Sequence, residues 1–504
     1  MRGGVQLGLQ MKKAIAVFIF AAALSAAVAQ TNVPPRTTLS LQDCITEALQ
    51  HNFDVQVARY TPQIDLYSLY ATYGGWDPLF SLSGQHTYDV TPSGGFNQYS
   101  TNSIPARITQ ADSFNSGIQG TLPEGLQYNI TGSVSDTTSS TDPESSSGSI
   151  GIQLTQPLLK NFWIDSTRLQ ISVAKNNLKY SEQGLRAQLI TTIAAIETAY
   201  YELIYARENL KVQQEALTLA QTQLDQDNQR LQIGTLALLA VQQDESQVAQ
   251  SKANLITAEF TLASDQNTLK NLITDNYKLW HDSDITPSES LEATKQLYDL
   301  QDSWGKGMTL RPDLLQAQLT LEQQGIQLKF DRNQFYPSLD LIGSYGYNGA
   351  GTVYNDVFSQ YANQSSPFWS YGAQMNIPLS NVSARNTLKS DKVTEKQDLL
   401  KLKELEQNIL VEIDNAVKEA QSDFESVDAT RQARIYAEAA LDAEQKTYAV
   451  GKATTFEVLQ YQNNLTTARG QEIRALANYE EALSNLAQQE GSTLQRRSLD
   501  LEVK

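Results

Sequence analysis

Three histidines and a single cysteine are the side chains best suited to metal binding or nucleophilic attack in this chain. His51, His86 and His281 lie far apart. None stands in an HExxH or similar spacing that would bring two ligands to one helix face. Cys44 has no neighbouring base to activate it and no second cysteine for an internal disulfide. It lies 15 residues past Ala29 and follows Asp43, whereas lipoprotein processing wants a small residue there, so it reads as a buried helix residue. Gly451-Lys452 lacks the preceding glycine and following Ser/Thr of a phosphate loop, and no Gly-x-Ser-x-Gly elbow occurs. The scattered carboxylates read as solvated helix faces. These residues predict no enzyme, no cofactor and no resident metal.

The N-terminus reads as an export signal over residues 1–29. Lys12-Lys13 precede an apolar run from Ala14 to Ala26, and Ala27-Val28-Ala29 forms a small-x-small cleavage site. Met11 is an alternative start. The formal net charge is -18. Losing Arg2, Lys12 and Lys13 takes it to about -21, which repels nucleic acid, so no nucleic-acid partner is expected. No later stretch has 18 consecutive apolar residues, so any membrane entry must use strands.

The elements that would position functional residues occur twice. Leu189, Ile196, Leu203, Leu210, Leu217, Leu224 and Leu231 recur every seven residues, and Val241, Val248, Leu255, Leu262 and Leu269 do so after Gly234-Thr235. Gly234 falls on Gly451 and Val241 on Val458, 217 residues later. Asp54-Val55 falls on Asp313-Leu314 and Pro78 on Pro337, 259 residues later. A duplicated helical hairpin with left-handed packing builds a wall.

The expected order follows. Residues 30–273 form a first repeat, with a helix from Leu41 to Gly74 kinked or split at Pro62. A helix of about 100 Å runs from Asp165 to Leu231, and a returning helix from Thr235 to Ile273. Residues 274–308 are a connecting segment marked by Pro287, Gly305 and Gly307. Residues 309–489 repeat the pattern, with a long helix from Ser383 to Ala449. Residues 490–504 are a loose polar tail.

Between the helices, residues alternate in polarity. Phe80, Leu82, Tyr88 and Val90 interleave with Ser81, Ser83, Thr87 and Asp89; Trp369, Tyr371, Ala373 and Met375 interleave with Ser370, Gly372, Gln374 and Asn376. Further strands fall at Ile150–Leu154 and Leu339–Tyr347. Strands of this length cross a bilayer when tilted. A half-buried soluble sheet shows the same alternation. A hairpin at 114–122 and 126–134, joined by Pro123-Glu124-Gly125, either crosses the membrane or forms an extracellular flap. These elements predict a mostly helical fold with long antiparallel helical hairpins and a β-barrel part.

Several short motifs recur in one order: Leu39-Ser40-Leu41, Thr155-Gln156-Pro157-Leu158-Leu159, Arg311-Pro312-Asp313-Leu314, Tyr336-Pro337-Ser338-Leu339, Ile377-Pro378-Leu379 and Tyr448-Ala449-Val450-Gly451. In this order, with the duplication, residues 39 to 490 resemble the TolC-like family of outer-membrane efflux proteins. The resemblance implies a homotrimer in the outer membrane of a Gram-negative bacterium, with its helices in the periplasm. The hairpins would form an α-barrel, and each chain would give four strands to one shared twelve-stranded transmembrane β-barrel in contact with outer-membrane lipid. It implies an exit duct for a tripartite efflux or type I secretion system, with a periplasmic adaptor and an inner-membrane transporter as partners. It assigns adaptor docking to Gly234, Thr235, Gly451 and Lys452. It assigns a periplasmic gate to Tyr448, Glu457 and Gln460, of which Gln460 stands where the family has a second acidic residue. Ala453 and Ala240 replace the family's arginine and aspartate, so the gate's bonds must differ. The residues alone leave open a soluble periplasmic coiled-coil scaffold or adaptor.

Overall fold

The computed structural model describes residues 38–92, 106–296 and 298–499; the expected export signal lies outside them. The chain begins with β1 (Thr38–Leu39), α1 (Leu41–His51) and α2 (Phe53–Thr72). Four strands follow: β2 (Leu79–Thr91), β3 (Arg107–Thr121), β4 (Gln127–Ser139) and β5 (Ser145–Pro157). The first long hairpin is α3 (Ser166–Gln232) and α4 (Leu238–Ile273). A short α5 (Tyr277–Trp280) and β6 (Thr286–Pro287) lead to α6 (Leu300–Leu310) and α7 (Pro312–Gln334). Then come β7 (Ser338–Gly351), α8 (Tyr354–Asn363) and β8 (Pro367–Asn376). The second hairpin is α9 (Val382–Ala449) and α10 (Thr455–Glu490), and α11 (Thr493–Arg496) follows it.

The first helix breaks at Asn52 rather than at the expected Pro62, which sits inside α2 without ending it. Asn52 Oδ1 accepts from the Asp54 and Val55 amides, satisfying two of the free donors at the start of α2. Its Nδ2 donates to Leu272 O at the end of α4. The second repeat breaks at Arg311, where Pro312 opens α7. Arg311 clamps Asp313 at 2.6 Å and Glu412 of α9 at 2.6 Å.

The repeat therefore starts at Leu300, 259 residues after Leu41, and not at 309. Gly305 and Gly307, read as loop markers, lie within α6. At Gly307 a side chain would meet Ile413 and Ile409, so glycine there lets α6 approach α9.

The long helices stand side by side. In the half nearer the strands the order across the chain is α2, α3, α7, α9; in the distal half it is α4, α3, α10, α9. Two short helices thus share the flank of one long helix, as the lengths predict. At mid-height α1 covers α3 and α4 with a core of Cys44, Ile45, Ile196, Leu203, Leu269 and Ile285, all fully buried. The Tyr200 hydroxyl donates to Leu39 O beneath it. Burial pushes the Cys44 thiol up to about 12, as suits an inert core cysteine.

The strands form one antiparallel sheet in the order β2-β3-β4-β5-β7-β8. The extra hairpin is fully paired within it, which excludes the flap. Its tight turn is fastened to the start of α3, where Arg168 Nε donates to Pro123 O at 2.8 Å. The strands of this sheet run 10 to 15 residues. Helix α8 was not foreseen. It seats Val357 against Gly349 and lets the Tyr361 hydroxyl donate to Ser133 O.

The tail is packed rather than loose through its described residues. Gly491 (φ 69°) ends α10 in the left-handed region and turns the chain back. Thr493 and Leu494 are buried, and Arg497 Nε donates to Glu197 at 2.6 Å. A side chain at Gly491 would press on the backbone of Leu310 and Arg311. Gly491→Ala should therefore cost about 2 to 4 kcal/mol, from the left-handed φ and the overpacking together. A denaturation midpoint equal to that of the unaltered protein would show that this packing is dispensable.

Candidate functional site: the helical tip and the two open edges

Both long hairpins turn at their distal end on a glycine. Gly234 and Gly451 have φ of 75° and 74°, and a side chain on either would point into open space. The Thr235 amide donates to Arg230 O and the Lys452 amide to Thr447 O, at 2.9 and 3.0 Å, which closes each helix end. Ile233, Leu238, Leu239, Val450 and Phe456 surround the turns as exposed apolar residues. The four expected docking residues, Gly234, Thr235, Gly451 and Lys452, are brought together and exposed at this tip.

Tyr448 does not share their exposure. It is buried, and its hydroxyl contacts both carboxylate oxygens of Asp227 at 2.6 Å and Thr455 Oγ1 at 2.9 Å. Thr455 Oγ1 also donates to Asp227, as does Gln223 Nε2 at 2.9 Å. The Arg230 guanidinium lies 4.3 Å from the Tyr448 ring centre and 3.7 Å from Asp227. Asp227 of α3 thus holds the end of α9 and the start of α10.

The fourth helix joins through a second acid. Asp244 of α4 is fully buried, and neither of its oxygens meets a hydrogen-bond donor. Burial, then contact with the Asp227 carboxyl and its charge, push Asp244 up to about 7. A shared proton is what satisfies two such carboxyls side by side.

Glu457 and Gln460 stand apart from this junction, exposed on the first turns of α10. The Glu457 carboxylate accepts from the Thr454 amide at 2.7 Å and hydroxyl at 2.9 Å, completing a capping box. Those donors hold its carboxyl below the usual range.

Sequence reasoning missed Asp227 and Asp244. The signal lay in the seams three residues off the leucine rows. Ala206, Ala220 and Asp227 occupy one seven-residue register, and Asp244, Ser251 and Ala258 another; all are buried. The apolar rows drew attention away from the seams of small and polar residues that carry the close packing.

The other candidate region is the pair of open sides. One is formed by the edge of β2, then α2, then α4; the other by the edge of β8 and then α9. On α2, Phe53, Val57, Tyr60, Ile64 and Tyr67 recur at alternating steps of four and three and are all exposed. On α9, Val393, Leu400 and Val411 are exposed. Helix α8 packs on one end of the sheet's apolar face, over Gly148 and Gly349; beyond it that face is exposed, with Phe80, Leu82, Trp369, Tyr371 and Met375 open. No helix among the described residues is long and apolar enough to cross a membrane.

A sheet with a largely exposed apolar face, continued by long helices to a distal tip, defines one stave of a channel wall. Residues 44–274 and 308–492 match the outer membrane efflux protein family, and the chain belongs to it. It is an outer-membrane protein. The chain is similar to the cation efflux system protein CusC of Escherichia coli strain K12, 23% identical over 297 residues. That match covers 58% of this chain and 63% of CusC, so less than two thirds of that relative's length is spanned. The outer membrane protein TolC of Vibrio cholerae is 23% identical over 381 residues, covering 72% of this chain and 83% of TolC. In fold, the CmeC outer membrane channel of Campylobacter jejuni superposes with a TM-score of 0.66 and 15% identity, over 92% of this chain and 90% of that one. At such identity the likeness is one of fold alone.

The acid pair makes the tip sensitive to pH. Asp244 is held above its ordinary value, so its contribution to the folded tip is complete at low pH and is lost as pH rises through about 7. Hydrogen-exchange protection across residues 225–247 and 446–462, corrected for the intrinsic rise of exchange with pH, should fall over that range. Asp244→Asn should flatten the profile; an unchanged profile would remove Asp244 as the titrating group.

Proposed function

We propose that three copies close head to tail into an outer-membrane duct, the exit of a tripartite efflux or type I secretion machine. The observation that carries this reading is the alignment of the open edges. Strand edge and helix edge lie on the same side of the chain at both margins, so one rotation pairs β8 with β2 and α9 with α2 and α4. The exposed apolar stripes then become interfaces, and the ring leaves no strand edge in hydrocarbon. A head-to-tail contact that closes gives cyclic symmetry.

Within that ring the tip would meet a periplasmic adaptor. Gly234, Thr235, Gly451 and Lys452, with the apolar residues around them, offer a knuckle with no side chain over the turn. An inner-membrane transporter would supply the energy. The gate would be the tip itself. The Tyr448–Asp227 bond tethers one hairpin to the other, and copies of Glu457 and Gln460 would face the axis, where like charges repel and attract cations.

A soluble periplasmic scaffold is the other reading left by the sequence. The exposed remainder of the sheet's apolar face, beyond α8, weighs against it, because a soluble sheet covers such a face with a second layer.

Extraction from outer membranes in detergent, then mass measurement and electron microscopy, tests the duct. A trimer with a helical shaft of about 100 Å is expected. A monomer that stays in solution without detergent would refute it. For the tip, Gly451→Trp should abolish export while trimers still assemble. Export at the normal rate would move adaptor docking elsewhere.

A further inference from the structure

We infer that the membrane barrel has eighteen strands, six from each copy, and that its lumen is as wide as the helical duct below it. The inference rests on the duct reading and deepens it. The resemblance to the family implies four strands per chain, but the sheet here has six, with β3 and β4 inside the strand order.

The paired residues place the added hairpin in the membrane wall near its tight turn, while toward its outer end the same face carries Asp112 and Asp136. One row of partners crosses the whole sheet: Phe80, Ile118, Ile130, Ile152, Tyr345 and Trp369. Every member is apolar or aromatic and exposed, including the two from β3 and β4. A hairpin folded over the mouth of the pore would need no such row. Adjacent strand residues point to opposite faces, so the other face carries Asn115, Gln119, Asn129, Thr131, Gln153 and Gln374. On that face charge is confined to the ends of the strands, with Asp89 and Arg107 at one and Asp340 at the other.

Widths decide the consequence. Strands about 4.8 Å apart, tilted by about 40°, each occupy roughly 6 Å of circumference. Six strands span about 37 Å of wall. Four helices spaced about 9 to 10 Å apart span nearly the same. Four strands would span only about 25 Å by the same spacing, and the wall would have to narrow at the membrane. With six strands, the sheet continues the helical wall without a constriction. Eighteen strands give a backbone diameter of about 35 Å, against about 24 Å for twelve, since diameter grows with strand number. The exit then admits bulky hydrophilic solutes that a twelve-stranded lumen excludes. The uncharged middle of its wall discriminates little by charge.

The test uses the full chain, with Cys44 buried and unreactive, carrying Ile118→Cys labelled with a nitroxide in lipid nanodiscs. Phe80→Cys reports the membrane face and Asn129→Cys the lumen. The label at position 118 should be reached by oxygen and not by a water-soluble nickel chelate, matching position 80, while position 129 shows the reverse. Images of the same particles should show eighteen strands in cross-section. Uncharged polyethylene glycol of about 20 Å diameter, added from the outside, should enter the lumen, which a barrel of twelve strands would not allow. Nickel access at position 118, twelve strands, or exclusion of that polymer, in a trimer with position 80 in lipid, would overturn the wide barrel and leave the duct standing. Absence of both the trimer and lipid contact at position 80 would overturn the duct itself.

Discussion

A strand edge cannot stay unpaired in hydrocarbon. Each free amide or carbonyl there costs several kcal/mol, because no water is present to replace its partner. The single chain has two such edges, on β2 and β8. Most other features follow from the need to cover them. The helices that continue each edge carry exposed apolar residues on that margin, so closing the sheet also closes the helical wall. Phe53, Val57, Tyr60, Ile64 and Tyr67 on α2 are left exposed by the described residues, and they lie beside an edge that needs covering.

The helical part solves a different problem. Its packing changes in character along its length. Near mid-height the seam of α3 is filled by Leu189, Ile196, Tyr200 and Leu203, and α1 seals it. Toward the tip the buried positions become Ala220, Gln223 and Asp227, facing Ser251 and Asp244 on the returning helix. Apolar packing loses free energy steeply when surfaces separate. Polar groups that can be rehydrated lose less, so the polar seam makes the tip the easiest place to open. Ion pairs stiffen the region between, with Arg469 reaching Glu215 and Arg474 reaching Glu202, so α10 and α3 stay joined while their ends differ in composition.

The duplication explains why one chain presents two dissimilar margins. Each repeat supplies a short helix pair, strands and a long hairpin, and α3 and α9 take equivalent places in their own repeats. Within the chain the repeats meet where α3 packs on α7 and α10. The outer sides have no repeat beyond them, and in the proposed ring another copy would cover them. The extra β3–β4 hairpin breaks the equivalence in the first repeat only, and it adds width where strands are narrower than helices.

Much of this was legible in the residues. Seven-residue spacing located the long helices to within a residue or so at most ends, because a buried stripe over nine or more turns leaves little freedom of phase. Strand alternation located the sheet for the same reason at period two. Cys44 in a helical core, and the glycine turns at 234 and 451, were likewise readable from local chemistry. What tertiary structure alone decided were choices between locally equal options. Pro62 and Asn52 both looked able to end a helix; Asn52 does so because its amide also reaches Leu272 across the chain. Gly305 and Gly307 looked like a loop until Ile409 and Ile413 of α9 required a close approach. The 114–134 hairpin suited a flap or a wall equally until its rows of partners aligned with β2 and β5. Asp227 and Asp244 are ordinary acids in sequence. They become a buried pair only when two helices, turned back on each other at Gly234, bring them together.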